Sequence, residues 1–311
     1  MRNTLGREGR GEAAPGVFVL GNRWMPAYLV AAERPLMIDA CLSVLGPLYL
    51  EDLAGFLGDP HRLQWLFFTH VHFDHCGAGP YLKRKLPGLQ LAASEKSAQI
   101  LARPNAVELI RSLNEDMIRG SVPKTWAEDV RFDGMSLDWT LKDGEEIDLG
   151  GGWVLRAVST PGHTRDMLSY YFPGQKILFA SEAAGLKDNY GDISPTFLSD
   201  YEDYIASLEK LLRVEADRIF FAHGPPVSGE DAHRYIRKSL AAARLFRQRI
   251  ERYLDEAHGE EQAVVDRIAG EDYDGRHAAL QARRPYTINL QAKVHAVARL
   301  AAKKTSAARG G

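Results

Sequence analysis

Short apolar or alternating runs dominate the first two thirds of the chain. Residues 17–20, 27–31 and 36–38 read as strands separated by turn residues. Helical spacing follows over 44–57 and is stopped by Gly58-Asp59-Pro60. The compact apolar run 63–68 predicts a buried strand that feeds directly into the His-rich stretch 69–76. A helix is predicted over 78–86, a strand over 89–92, a helix opened by Ser94-Glu95-Lys96 and another over 107–118. Strands return over 137–141, 146–149, 153–158, 168–172 and 176–179. Residues 200–212 are helical with Asp200 as N-cap, and 218–222 form a further strand.

From 229 to 303 the strand signals vanish, and Ala, Leu, Arg, Glu and Gln at helical spacing predict three or four helices. A strand-rich body with interspersed helices, followed by a helical section, predicts a layered α+β sandwich with a C-terminal helical extension. The expected division is a flexible tail over 1–15, the sandwich domain over 16–228, a helical lobe over 229–303 and a second tail over 304–311.

Composition narrows the function. Hydrophobic residues make up 45% of 311, enough for a packed core. Lys plus Arg number 39 against 41 Asp plus Glu, a net charge of -2, which argues against a dedicated nucleic-acid binder. Lys83-Arg84-Lys85 is the one tight basic cluster and reads as a solvated helix face. The two cysteines, Cys41 and Cys76, read as buried thiols, since a domain of this size needs no staple. No apolar run is long enough to span a bilayer, and the first residues lack the apolar core of a secretory signal. A cytoplasmic protein acting on a small molecule is expected, with no membrane or nucleic-acid partner and with a homodimer left open.

The segment Thr69-His70-Val71-His72-Phe73-Asp74-His75 places four potential metal ligands directly after a buried strand, where loops build sites. Imidazole nitrogen and carboxylate oxygen suit zinc, iron or manganese. His70 and His72 stand two apart, so an extended piece points both rings the same way. Asp74 and His75 follow once the chain turns and can face a second ion. His163 in Thr160-Pro161-Gly162-His163-Thr164 and His223 in Ala222-His223-Gly224 each follow a predicted strand in the same manner. A lone His beside Gly is ordinary; three His-bearing strand ends in one chain point to a shared centre.

With these motifs the chain resembles the metallo-β-lactamase superfamily. THVHFDH matches its THxHxDH signature, TPGHT its second histidine motif and AHG its last, across residues 17–225. The resemblance implies a four-layer αββα sandwich with two divalent transition-metal ions, zinc or iron with manganese a further candidate. It implies that His70, His72 and His163 hold the first metal and that Asp74, His75 and His223 hold the second. A bridging Asp, in a Gly-Asp pair after a strand, normally comes next. Here that position is Glu182 in Ala180-Ser181-Glu182-Ala183, a departure. Glu is a competent ligand, but its extra methylene lets it bridge only if the backbone retreats or the metals shift. The rival is Glu182 on one metal or acting through water; Asp188 and Asp192 are poorer substitutes. The segment 75–101, the helix around 107–114 and the loop and helix around 195–209 also resemble the quinolone-signal-response members, thioesterases of this fold that act on an aroylacetyl-coenzyme A and carry a helical C-terminal section.

The implied chemistry is hydrolysis of a carboxylic ester or thioester by metal-activated hydroxide. Asp74 is the residue placed to orient the nucleophile and move its proton. Phosphodiester cleavage is the rival enzyme reading. A regulatory protein with weak hydrolysis, binding a partner through its helical lobe, is the rival from another class.

Overall fold

The predicted strands pair into two sheets. In the first, β1 (Gly11–Ala14), β2 (Val17–Asn22), β3 (Met25–Val30) and β4 (Leu36–Ile38) are antiparallel neighbours. β5 (Trp65–Phe67), β6 (Gln90–Ser94) and β7 (Trp139–Leu141) extend it in parallel. The parallel connections carry α1 (Gly46–Leu57), α2 (Phe73–Cys76), α3 (Gly79–Lys85), α4 (Glu95–Leu101) and α5 (Pro104–Ser121). In the second sheet β8 (Glu146–Gly150), β9 (Trp153–Ser159), β10 (Leu168–Phe172) and β11 (Ile177–Phe179) are antiparallel neighbours. After the ribbon β12 (Leu186–Lys187) and β13 (Ile193–Ser194), β14 (Arg218–Phe220) returns parallel to β11.

This computed structural model describes residues 9–22, 25–121, 128–277, 279 and 281–309. Contacts divide the chain into two compact units. The first comprises Met1–Ser159, Asp166–Ser181 and Arg218–Pro226; the second comprises Thr160–Arg165, Glu182–Asp217 and Val227–Gly311.

The first unit is built from alternation. Val17 and Val19 join the core between the sheets, whereas Leu20 lies on the opposite face among the helices and Phe18 stacks on Phe56 of α1 at 4.7 Å. β5 is buried on both faces: Trp65 and Phe67 face the second sheet, and Leu66 faces the helices. That is why its run is continuously apolar rather than alternating. Tyr170, Phe172, Phe179 and Phe220 fill the second sheet's share of the same core. Full burial of one such ring is worth roughly 1.5–3 kcal/mol.

The stretch expected as an N-terminal tail contributes β1, although its sequence, Gly-Glu-Ala-Ala, has no apolar pattern. Main-chain pairing holds it, helped by Arg218 donating to the Ala13 carbonyl at 2.6 Å and by Arg10 on the buried Asp52 at 2.5 Å. Residues 1–8 and 310–311 of the two expected tails lie outside the described residues. The basic cluster on α3 is partnered by acids: Lys83 with Asp138 at 2.9 Å, Arg84 with Asp133 at 2.8 Å and Lys85 with Glu128 at 3.3 Å.

The second unit is helical. α6 (Tyr201–Leu211) is capped by Asp200, which accepts from the Glu202 and Asp203 amides. β15 (Val227–Ser228) leads into α7 (Glu230–Glu256), a single helix of 27 residues. Then come α8 (Glu261–Ile268), a π-helical turn (Ala269–Gly275) and α9 (Arg283–Arg309). Among the described residues, no helix is long and apolar enough to cross a membrane.

One lysine of α9 is out of place in a core. Lys293 is buried beside the Phe246 ring, its Nζ 5.5 Å from the ring centre. Burial pulls its ammonium down to about 8, with Asp272 opposing weakly. A lowered lysine pKa means the folded state disfavours the proton. The cost is therefore complete below about 8 and fades as pH rises towards the unfolded value. Lys293→Met should raise stability at pH 7 by about 2–3 kcal/mol, an advantage that shrinks above pH 8. Urea unfolding at pH 7 and pH 9.5 checks this; a pH-independent difference would show that packing, not charge, is responsible.

Candidate metal centre

β5 delivers the chain at Phe68 and Thr69 into a loop fixed by two buried carboxylates. Asp39, directly after β4, accepts from the Thr69 amide at 2.7 Å and from its hydroxyl at 2.9 Å. Asp166 accepts from the Val71 amide at 3.1 Å and from Ser97 at 2.8 Å. The Thr69 carbonyl takes the Leu168 amide at 2.8 Å, and the His75 carbonyl takes the Ala40 amide at 2.7 Å. The backbone is extended at His72 and helical from Phe73, so the stretch turns between its two pairs of ligand candidates.

His70 and His75 are buried, their ring centres 4.0 Å apart, and His70 lies 4.6 Å from His72. His75 Nδ1 faces Asp39 Oδ2 at 2.9 Å. That carboxylate fixes the tautomer in which Nδ1 carries the proton and Nε2 offers its lone pair, the usual support of a ligating imidazole. His223 follows β14, whose exit is held by the buried Tyr28 hydroxyl donating to the Phe221 carbonyl at 2.6 Å. Its Nε2 lies 3.7 Å from Asp74 Oδ2, and its ring centre 5.9 Å from that of His75.

His163 follows Gly162, whose φ of 131° excludes ordinary side chains. The Gly162 carbonyl collects the Leu198 amide at 3.1 Å and the Ser199 amide at 3.0 Å, which gathers the loop around the histidine. His163 Nδ1 donates to the Thr196 carbonyl at 2.6 Å, so this ring too presents Nε2 in ligand form. Glu182 is buried on the short turn Ser181–Ala184. Ser181 adopts a φ of 49° there, at the position where the family pattern has glycine. The backbone at Ser181, directly before Glu182, is thus held in a left-handed conformation that costs a non-glycine residue about 1 kcal/mol.

Among the described residues of the first unit, Asp74, His75 and His223 form a set of donors that could hold a metal ion, their ligand atoms within 4.8 Å of one another. Neutral imidazoles and carboxylates are the donor set of zinc, iron and manganese sites, so the residues present fit such ions. The other histidines are placed otherwise: His233 pairs with Asp217 at 3.4 Å and His295 with Glu261 at 3.1 Å. Tyr286 packs on Tyr273 at 5.1 Å.

Cys41 and Cys76 are buried free thiols. Burial pushes Cys41 up to about 12 and Cys76 higher still, so neither is a nucleophile near neutral pH. Sequence reasoning missed Asp39, Asp166 and Thr196. Asp39 carried a usable signal: it directly follows the strand β4, which pairs in parallel with the strand leading to His70.

The profile of the metallo-beta-lactamase superfamily matches residues 26–223. The metallo-beta-lactamase fold-containing protein ST1585 of Sulfurisphaera tokodaii is 26% identical over 222 residues, 69% of this chain and 78% of that protein. Its crystal structure superposes with a TM-score of 0.54 at 24% identity, covering 73% of this chain and 85% of that one. The human (Homo sapiens) acyl-coenzyme A thioesterase MBLAC2 is 29% identical over 203 residues, 62% of this chain and 69% of that enzyme. The subclass B3 enzyme BJP-1 of Bradyrhizobium japonicum shares the fold at a TM-score of 0.56 and 18% identity, covering 82% of this chain and 97% of that one. Sheets, helices and a C-terminal helical region make this an α+β protein of the metallo-β-lactamase fold. The chain belongs to the metallo-β-lactamase superfamily, whose members are typically metal-dependent hydrolases.

Proposed function

We propose that this chain hydrolyses a carboxylic thioester of the acyl-coenzyme A class at a two-metal centre. The observation that carries the reading is the set Asp74, His75 and His223, with donor atoms within 4.8 Å of one another and His75 backed by the Asp39 carboxylate. The similarity to acyl-coenzyme A thioesterase MBLAC2 supports the thioester. His70, His72 and His163 would hold one ion, Asp74, His75 and His223 the other, and Glu182 would contribute its carboxylate between them.

When bound, such ions lower the pKa of water towards neutrality and polarise a carbonyl oxygen. The chain's own part is positional. Asp39 and the Thr196 carbonyl hold His75 and His163 in the tautomers that offer Nε2. Asp74 keeps about a fifth of its side chain exposed, so its carboxylate can orient an attacking water and take up its proton. The raised thiol pKa values of Cys41 and Cys76 favour this route over a covalent acyl-enzyme.

Metal-analysed protein should be offered acyl-coenzyme A, glutathione thioesters, lactones and bis(p-nitrophenyl) phosphate. An acyl-coenzyme A should turn over with kcat/KM of about 10⁴ M⁻¹s⁻¹ or more. Activity should vanish on chelation and return with zinc, iron or manganese. Faster cleavage of the phosphodiester, or full activity after chelation, would refute the assignment.

A further inference from the structure

We propose that Thr196 is a positioning residue for the metal centre, holding the main chain of Glu182 and the ring of His163 in fixed relation. The proposal rests on the metal-hydrolase reading above. Thr196 touches both positions. Its carbonyl accepts from His163 Nδ1 at 2.6 Å, and its hydroxyl donates to the Glu182 carbonyl at 2.5 Å. The two partners lie far from it in sequence, at separations of 33 and 14 residues, so this one residue closes two loops at once.

The hydroxyl's direction is set from behind. Tyr204 of α6 is fully buried, and burial raises its phenol, which therefore keeps its proton at neutral pH. Its Oη lies 3.2 Å from Thr196 Oγ1 and accepts the Thr196 amide at 3.4 Å. One assignment that satisfies these bonds is a one-way relay. The amide of Thr196 donates to the phenol, the phenol donates to Oγ1, and Oγ1 donates its single proton to the Glu182 carbonyl. A second anchor stands next to the first: Ser239 of α7 donates to the Ala184 carbonyl at 2.6 Å. The turn that carries Glu182 is thus gripped at two carbonyls by side chains from outside it.

This grip matters because the ligand is Glu. Its side chain has one more rotatable bond than the Asp of the family pattern, and each added torsion must be ordered before the carboxylate can bind. Fixing the backbone from which it departs limits that loss. Ligand-supporting contacts of this kind are commonly worth 10–100-fold in metal affinity.

The test compares Thr196→Val, which keeps the shape and loses the hydroxyl, with Thr196→Ser, which keeps the hydroxyl. Zinc affinity is measured by competition with a chromophoric chelator, and the visible spectrum of the cobalt-substituted protein is recorded. Thr196→Val should weaken one of the two ions by about 10–100-fold and alter the cobalt bands, while Thr196→Ser stays within about threefold of the parent. Tyr204→Phe, which removes only the relay's phenol, should shift in the same direction by a smaller factor, and it serves alone if the valine variant does not fold. Parent-like affinity and spectra in Thr196→Val and Tyr204→Phe would overturn the proposal, as would equal losses in the serine and valine variants. If the parent protein itself takes up no metal, the hydrolase reading falls as well, and that outcome is distinguishable from the others.

Discussion

Changing His70 and His72 together to alanine is expected to lower hydrolytic turnover by about 10³-fold or more and to remove about one metal equivalent per chain. Both rings sit on one loop, which Asp39 and Asp166 hold by its amides rather than by the imidazoles. The loop should therefore survive the double change, and circular dichroism should match the parent. Metal content by mass spectrometry, read with kcat, separates the possibilities. Retained turnover with one ion lost would assign the chemistry to the Asp74, His75 and His223 set alone. Retained turnover with full metal content would exclude both histidines from the centre.

The second large effect is expected at Asp39, which contributes no ligand. Asp39→Asn should weaken metal binding by about 10–100-fold. It should also cost the metal-free protein about 1–3 kcal/mol. The carboxylate accepts from the Thr69 amide, the Thr69 hydroxyl and His75 Nδ1 together, and an amide offers only one accepting oxygen. Asn is a clean replacement because Asp39 has a φ of 59°, a left-handed conformation that Asn tolerates as readily as Asp. Chemical denaturation of the apo protein and zinc competition give the two numbers independently. Unchanged zinc affinity with lowered stability would mean that Asp39 serves only the fold.

The histidines were legible because each repeats one pattern: an apolar strand, a short polar turn, an imidazole. The buried strand Trp65–Phe67 announced itself by a run with no polar face. What stayed illegible rests on main-chain contacts. Thr196 acts on His163 through its carbonyl, and any residue has a carbonyl, so nothing in its identity marks it. Gly11–Ala14 pairs as a strand although its residues read as a tail, because a ladder of amides asks little of side chains. The helical section, expected as three or four helices, holds α7, α8, a π-helical turn and α9, with α7 alone taking 27 residues because no glycine or proline divides it. Lys293 lies buried where helical spacing alone would put an apolar residue, and its burial becomes visible only once α9 is packed.

Gly162 shows how a residue with no chemistry of its own can become irreplaceable. A Cβ built there would come within 2.4 Å of the Tyr204 Cα, a main-chain atom that cannot step aside, and the backbone angle forbids the substitution independently. In a saturation library, every replacement at this position should be depleted as severely as replacements of the neighbouring histidine, so tolerance profiles alone would misreport Gly162 as part of the reacting machinery.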